Sequence, residues 1–67
     1  MHNMVSYQRW TAIVFDVAAQ KGADTSTEQT AIISAGAEVW REQKDELKTA
    51  TIAEAEAVAQ QAIQVTA

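Results

Sequence analysis

No proline interrupts this chain, and its only glycines are Gly22 and Gly36. Turn-rich folds need such residues as punctuation, whereas helices exclude them from their interiors. Alanine, glutamine and glutamate dominate the second half, and all are compatible with helix. No segment shows the strict alternation of a half-buried strand. Ile13-Val14-Phe15 and Ile32-Ile33 have β-prone side chains, but both lie within longer helical periodicity. The sequence therefore predicts an all-α fold, a single small domain over residues 1–67 with helices at about 4–20, 26–43 and 46–65.

In the first of these helices, Tyr7, Trp10, Val14 and Val17 recur at three- and four-residue steps, and Ile13 and Phe15 widen the stripe. Gly22 supplies a C-terminal stop, because glycine enters the left-handed region without steric cost. Lys21 is placed to complement the carbonyl end of that helix. The second helix has start signals in Thr25-x-x-Glu28 and Ser26-x-x-Gln29, both with capping-box spacing. Ile33, Gly36, Trp40 and Leu47 then form a seam expected to face Tyr7, Trp10 or Val14. A glycine inside a helix costs up to ~1 kcal/mol relative to alanine, so Gly36 implies close approach of another helix or an aromatic ring. Tyr7, Trp10, Phe15 and Trp40 are expected to share the core.

The next boundary has several candidate signals. Asp45 is a candidate cap for a helix starting at Glu46, and Thr51-x-x-Glu54 is a later capping box. A break between Gln43 and Thr51 is expected, with one long bent helix as the alternative. Beyond it, Ile52, Ala55, Ala59, Ala62 and Thr66 share one seam. Such small residues permit close helix approach but bury little area each.

Stability is the next constraint. A chain of 67 residues buries only about 60% of the surface it exposes when unfolded. There is no cysteine to form a disulfide, and the single histidine, His2, cannot make a zinc site alone. Covering the Ala55, Ala59 and Ala62 row with a partner or a second copy is an expected route to stability, with the third helix fraying in the isolated monomer.

Catalytic chemistry has little to work with. Nucleophilic catalysis requires a base beside an activated Ser, Cys or Thr, and His2 is the only imidazole. Glu54 and Glu56 diverge on a helix, and no glycine-rich phosphate loop exists. The expectation is a non-enzymatic protein with no catalytic residues, no cofactor and no metal. Its most apolar run, Trp10–Phe15, is broken by Asp16 and far short of the ~20 residues that cross a bilayer. No basic flank of a signal peptide precedes it. A non-secreted protein without a membrane segment is expected, in the cytoplasm of a cell or in a virion.

Nine acidic residues against five basic ones give a formal net charge of −4. This disfavours polyanions, whose binding proteins usually present a basic field. Yet Arg41, Lys44 and Lys48 lie three and four residues apart, so a regular helix would place them on one face. Two readings stay open. The face is either a grip for an anion or a solvated surface, since Glu38 and Asp45 are one turn from these bases.

The pattern resembles high-mobility-group boxes, small three-helix, L-shaped domains. Tyr7 and Trp10 have the spacing of that family's first-helix aromatic pair, and Trp40 is similar to its second-helix tryptophan. Lys48, Ala55 and Glu56 follow Trp40 at the family's distances, whereas Gln43 and Thr51 replace its leucine and tyrosine. The resemblance covers about residues 5–60 and implies an L-shaped fold that binds and bends DNA.

Two functions are therefore expected. The first is a helical docking protein, an accessory or structural subunit of a larger assembly such as a phage or viral particle. It would dock through Arg41, Lys44, Lys48 and the Ala55, Ala59 and Ala62 row, onto another protein or a second copy. The second is a box-like nucleic-acid-binding protein that uses the same three bases.

Overall fold

The computed structural model describes residues 5–63 as three helices, with no strand among those residues. These are α1 (Tyr7–Gln20), α2 (Gln29–Lys48) and α3 (Ile52–Ala62). Helix α1 contacts both others, while α2 and α3 meet over a smaller area. Trp10 and Val14 lie against Gly36, and Tyr7 against Trp40, so α1 and α2 run antiparallel. Lys21, just past α1, reaches the last turn of α3, so those two helices end side by side.

Each helix begins and ends for a local reason. Ser6 caps α1, its hydroxyl accepting the Arg9 amide at 3.1 Å. Val5 and Trp10 occupy the two positions of a hydrophobic staple around that cap, and both are buried. The Val5 amide also donates to the Lys48 carbonyl at 3.3 Å, tying the chain ahead of α1 to the end of α2. At the other end of α1, Gly22 adopts φ +92°. Its amide bonds to Ala19 O and that of Ala23 to Ala18 O, both at 3.0 Å, which is the Schellman pattern.

Helix α2 starts later than expected, and from a different residue. Neither Thr25 nor Ser26 forms the anticipated capping box. α2 itself has no side-chain cap, and Asp24 instead organises the turn ahead of it: its carboxylate accepts Ser26 Oγ at 2.7 Å, the Ser26 amide at 3.1 Å and the Thr27 amide at 3.4 Å. Glu28 reaches back to accept the Asp24 amide at 3.1 Å. This reciprocal pair consumes one turn, so regular helix begins at Gln29 rather than residue 26. The Ser26 hydroxyl and the Ser26 and Thr27 amides hold the Asp24 carboxyl below its ordinary value near 3.8.

Between Gln43 and Thr51 the structure contains both a kink and a break. Gln43 leaves helical geometry at φ −125° and ψ 21°, yet α2 resumes and continues to Lys48. The break proper is at Thr49–Thr51, where Thr51 caps α3 with a complete box. Its hydroxyl accepts the Glu54 amide at 3.1 Å, and Glu54 Oε1 accepts the Thr51 amide at 2.8 Å. Asp45 caps nothing, because it lies inside α2.

The core unites Trp10, Ile13, Val14 and Val17 of α1 with Ile32 and Leu47 of α2 and Ala55 and Ala59 of α3. Trp10, rather than Trp40, is the central aromatic. It is 0% exposed, and its indole N–H donates to the Gly36 carbonyl at 2.8 Å. Gly36 thus admits both a helix and a ring: a Cβ there would lie 3.3 Å from Val14 Cγ2 and 3.6 Å from Trp10 Nε1.

The expected aromatic core is corrected in part. Trp40 and Phe15 are only half-buried, and Tyr7 is 42% exposed. Tyr7 and Trp40 pack edge to face, with centroids 5.5 Å apart. Ile33, expected on the same inner seam as Gly36, is exposed, while Ile32 is buried. The reason is geometric: the inner row of α2 runs through Ile32, Gly36 and Leu47, one residue away from Ile33 on the helical wheel.

Candidate functional site

The sequence-derived interaction residues separate in the structure. Arg41, Lys44 and Lys48 are all exposed on α2. The Gln43 kink falls between the first and the other two, so the regular spacing that would align them is interrupted. Lys44 and Lys48, both past the kink and four residues apart, share one face of the last turns of α2.

The alanine row has a different fate. Ala55 and Ala59 are 0% exposed within the chain itself, and Ala62 is half-buried. Their small side chains let α3 approach closely, and the common core supplies the cover expected from a partner. Ala55 and Ala59 are therefore inaccessible to a docking protein. Ile63, beyond α3, is also buried, and among the described residues of this segment Ile52 is the one larger apolar side chain substantially exposed.

The end of α3 has a partner that sequence reasoning assigned elsewhere. Lys21 Nζ donates to Gln60 O at 2.6 Å and Ile63 O at 2.5 Å. Its charge thus serves the carbonyl end of α3 rather than that of its own helix. The two sites lie 39 and 42 residues away in sequence, and no local pattern could reveal the contact. It fixes the last turn of α3 against the end of α1.

With α3 held at that end, a cleft runs between α2 and α3. Its larger part encloses about 420 Å³ and is lined by Gln43, Glu46, Thr49, Ala50, Glu54 and Val58. A smaller part of about 160 Å³ continues along Val39, Gln43, Val58, Gln61 and Ala62. Gln43 and Val58 line both, so the two parts adjoin. Val39, Gln43, Ala50, Val58 and Ala62 are all half-buried. They are apolar or amide side chains that the core leaves partly open to solvent.

Helical spacing explains the walls. Glu54, Val58 and Gln61 step by four and three residues along one side of α3, and the opposite wall joins Val39, the kinked Gln43 and Glu46 of α2 to Ala50 just past its end. Sequence reading missed the groove because its apolar positions, Val39 and Val58, are flanked by glutamine and glutamate. The Thr51 backbone N–H, and then the Thr51 hydroxyl, hold the Glu54 carboxyl below its ordinary value near 4.5, so this wall carries a negative charge at neutral pH.

No group of three or more His, Cys, Asp or Glu side chains is placed to hold a metal ion among the described residues. Among those same residues, no helix is long and apolar enough to cross a membrane. His2 lies outside them. No known protein family matches the chain, and neither does any curated protein or solved structure.

Proposed function

We propose that this chain is a non-enzymatic helical docking protein, an accessory or structural subunit of a larger assembly. The observation that carries this reading is the α2–α3 groove, with half-buried Val39, Val58 and Ala62 along its length. Docking modules receive partner helices in grooves of this kind, built from secondary structure whose backbone is already satisfied. An intracellular complex or a phage or viral particle would suit such a subunit.

A photo-crosslinking residue placed at Val58 in cells that make the protein tests the reading, with Ala12 on the exposed side of α1 as control. A discrete adduct of one mass from position 58, and none from position 12, is the expected result. Equal labelling from both positions, or none from either, would overturn it.

The alternative is nucleic-acid binding of the kind implied by the high-mobility-group resemblance. Its support is the exposure of Arg41, Lys44 and Lys48 on α2. A gel-shift titration with duplex DNA at ~0.15 M salt separates the two, since non-specific binding there is typically ~10⁻⁴–10⁻⁶ M. Weak binding is expected. Sub-micromolar affinity with a steep salt dependence, lost on neutralising the three bases, would favour the alternative.

A further inference from the structure

The groove also carries information about what fills it. We infer that its occupant is a basic amphipathic helix of about three turns contributed by a partner protein. This rests on the docking reading above and adds the chemistry of the partner.

Charge is the first consideration. Glu46 stands on the α2 wall and Glu54 on the α3 wall, so a segment lying in the groove has a carboxylate on either side. Glu38 and Glu42, before the kink, add two further exposed carboxylates to α2. Lys44 and Lys48 lie past the Gln43 kink and Arg41 before it, all three exposed. None of these three bases lines the groove. An acidic segment would meet uncompensated like charge here, and a basic one finds complementarity.

Shape and backbone chemistry select the helix. From Val39 to Lys48 the α2 wall extends about 13 Å at 1.5 Å per residue, and Ala50 beyond its end brings it to the length of about three helical turns. The walls are helices, with no strand edge to which an extended segment could add. A helix enters with its own hydrogen bonds formed and needs only an apolar stripe for Val39, Val58 and Ala62. Lysines or arginines flanking that stripe would reach Glu46 and Glu54. The exposed carboxylates steer and orient the partner, while the half-buried apolar positions supply its contact area.

The test is titration of the full-length protein with a designed leucine–lysine amphipathic helix, followed by amide chemical shifts and calorimetry. A glutamate-for-lysine version of the same peptide and a proline-interrupted version serve as comparisons. Shifts centred on Val39, Gln43 and Val58 are expected for the basic helix only. The Glu46→Gln/Glu54→Gln protein should bind it about five- to tenfold more weakly, and added salt should reduce the difference. Gln at position 54 retains the oxygen that the Thr51 amide needs, so the cap survives. The charge-matched Asp16→Asn/Glu56→Gln protein, altered outside the groove, should change affinity less than about twofold.

Equal binding of the acidic or proline-interrupted peptide would overturn the inference. So would shifts centred on Tyr7 and Trp40, or equal losses in the two double variants. A position-58 adduct in cells combined with no binding of the basic helix would refute this partner chemistry while leaving the docking function standing.

Discussion

Replacing Gly36 with alanine tests the packing on which the fold rests. In an exposed helix interior this change gains ~0.5–1 kcal/mol, because glycine loses more backbone freedom on folding. Here the new methyl would meet Val14 Cγ2 at 3.3 Å and Cγ1 at 3.4 Å, shorter than the ~3.5–4.0 Å optimum for carbon pairs. Val14 cannot easily turn aside. It is buried, and a β-branched side chain in a helix has one strongly preferred rotamer. Relief must come from separating α1 and α2 by a few tenths of an ångström, which stretches the 2.8 Å bond from Trp10 to the Gly36 carbonyl. Overpacking of this kind costs ~1–3 kcal/mol.

The net expectation for Gly36→Ala is a loss of about 1 kcal/mol, or a fall in Tm of about 4–8 °C for a domain this small. Gly36→Val adds bulk where the indole sits and should break the Trp10 bond, leaving a buried donor unpaired at a further ~1–3 kcal/mol. That approaches the whole stability of such a chain, roughly 3–10 kcal/mol. Thermal and urea unfolding followed by far-UV circular dichroism provide the measurement. A Gly36→Ala protein that melts higher than wild type would refute the close approach, because only the propensity gain would then remain.

Trp40→Ala should cost about 1–2 kcal/mol rather than the 3–5 expected of a fully buried tryptophan, and a double-mutant cycle with Tyr7→Ala should give a coupling of ~0.5–1.5 kcal/mol. Lys21→Met keeps the aliphatic stem but removes the ammonium from Gln60 O and Ile63 O, so amide exchange in the last turn of α3 should accelerate while that around Val14 is unchanged. Thr51→Ala should destabilise the protein by ~0.5–2 kcal/mol and Thr51→Ser by much less, as read from urea midpoints. Asp24 and Glu54 are both depressed in the folded state, so their stabilisation is full above their ordinary values near 3.8 and 4.5 and is lost as pH falls through the lower folded values. Glu54→Gln should remove its share of that acid dependence while keeping α3 capped, and an unchanged slope of stability against pH below 4.5 would contradict the assignment.

The residues most legible in the sequence were those whose conformation is set within a turn or two. Gly22 and the Thr51–Glu54 box act through neighbours only a few positions away, and both ended or began helices as their chemistry requires. Gly36 was legible as a place of close approach because glycine inside a helix has a cost that tertiary contact must offset. What could not be read was the choice among competing local signals and the long-range partners. Asp24, Thr25 and Ser26 all offer capping oxygens, and Asp24 took the Ser26 and Thr27 amides and the Ser26 hydroxyl into a turn of its own, so α2 begins only at Gln29. Trp10 and Trp40 are equally apolar by composition. Only the position of Gly36 opposite α1 decides which indole finds a buried acceptor.

The same long-range geometry changes what the alanine-rich helix means. Taken alone, α3 offers too little apolar area to hold itself, which suggested that a partner must cover Ala55 and Ala59. In the fold these are the residues through which α3 joins the core, and Lys21 secures its far end. Their removal from the surface leaves α3 with Glu54, Val58 and Gln61 facing α2 across an open groove. On α2 the acids and bases are then placed differently: Glu46 borders the groove, and Arg41, Lys44 and Lys48 do not line it. A net charge of −4 spread evenly would only disfavour anions. Distributed in this way, it would give a cationic partner of the proposed kind a preferred side on which to arrive. Val58, beside Glu46 and Glu54, and Val39 and Ala62 in the adjoining part would then hold it, so selectivity would come from the arrangement of charges around the groove rather than from their sum.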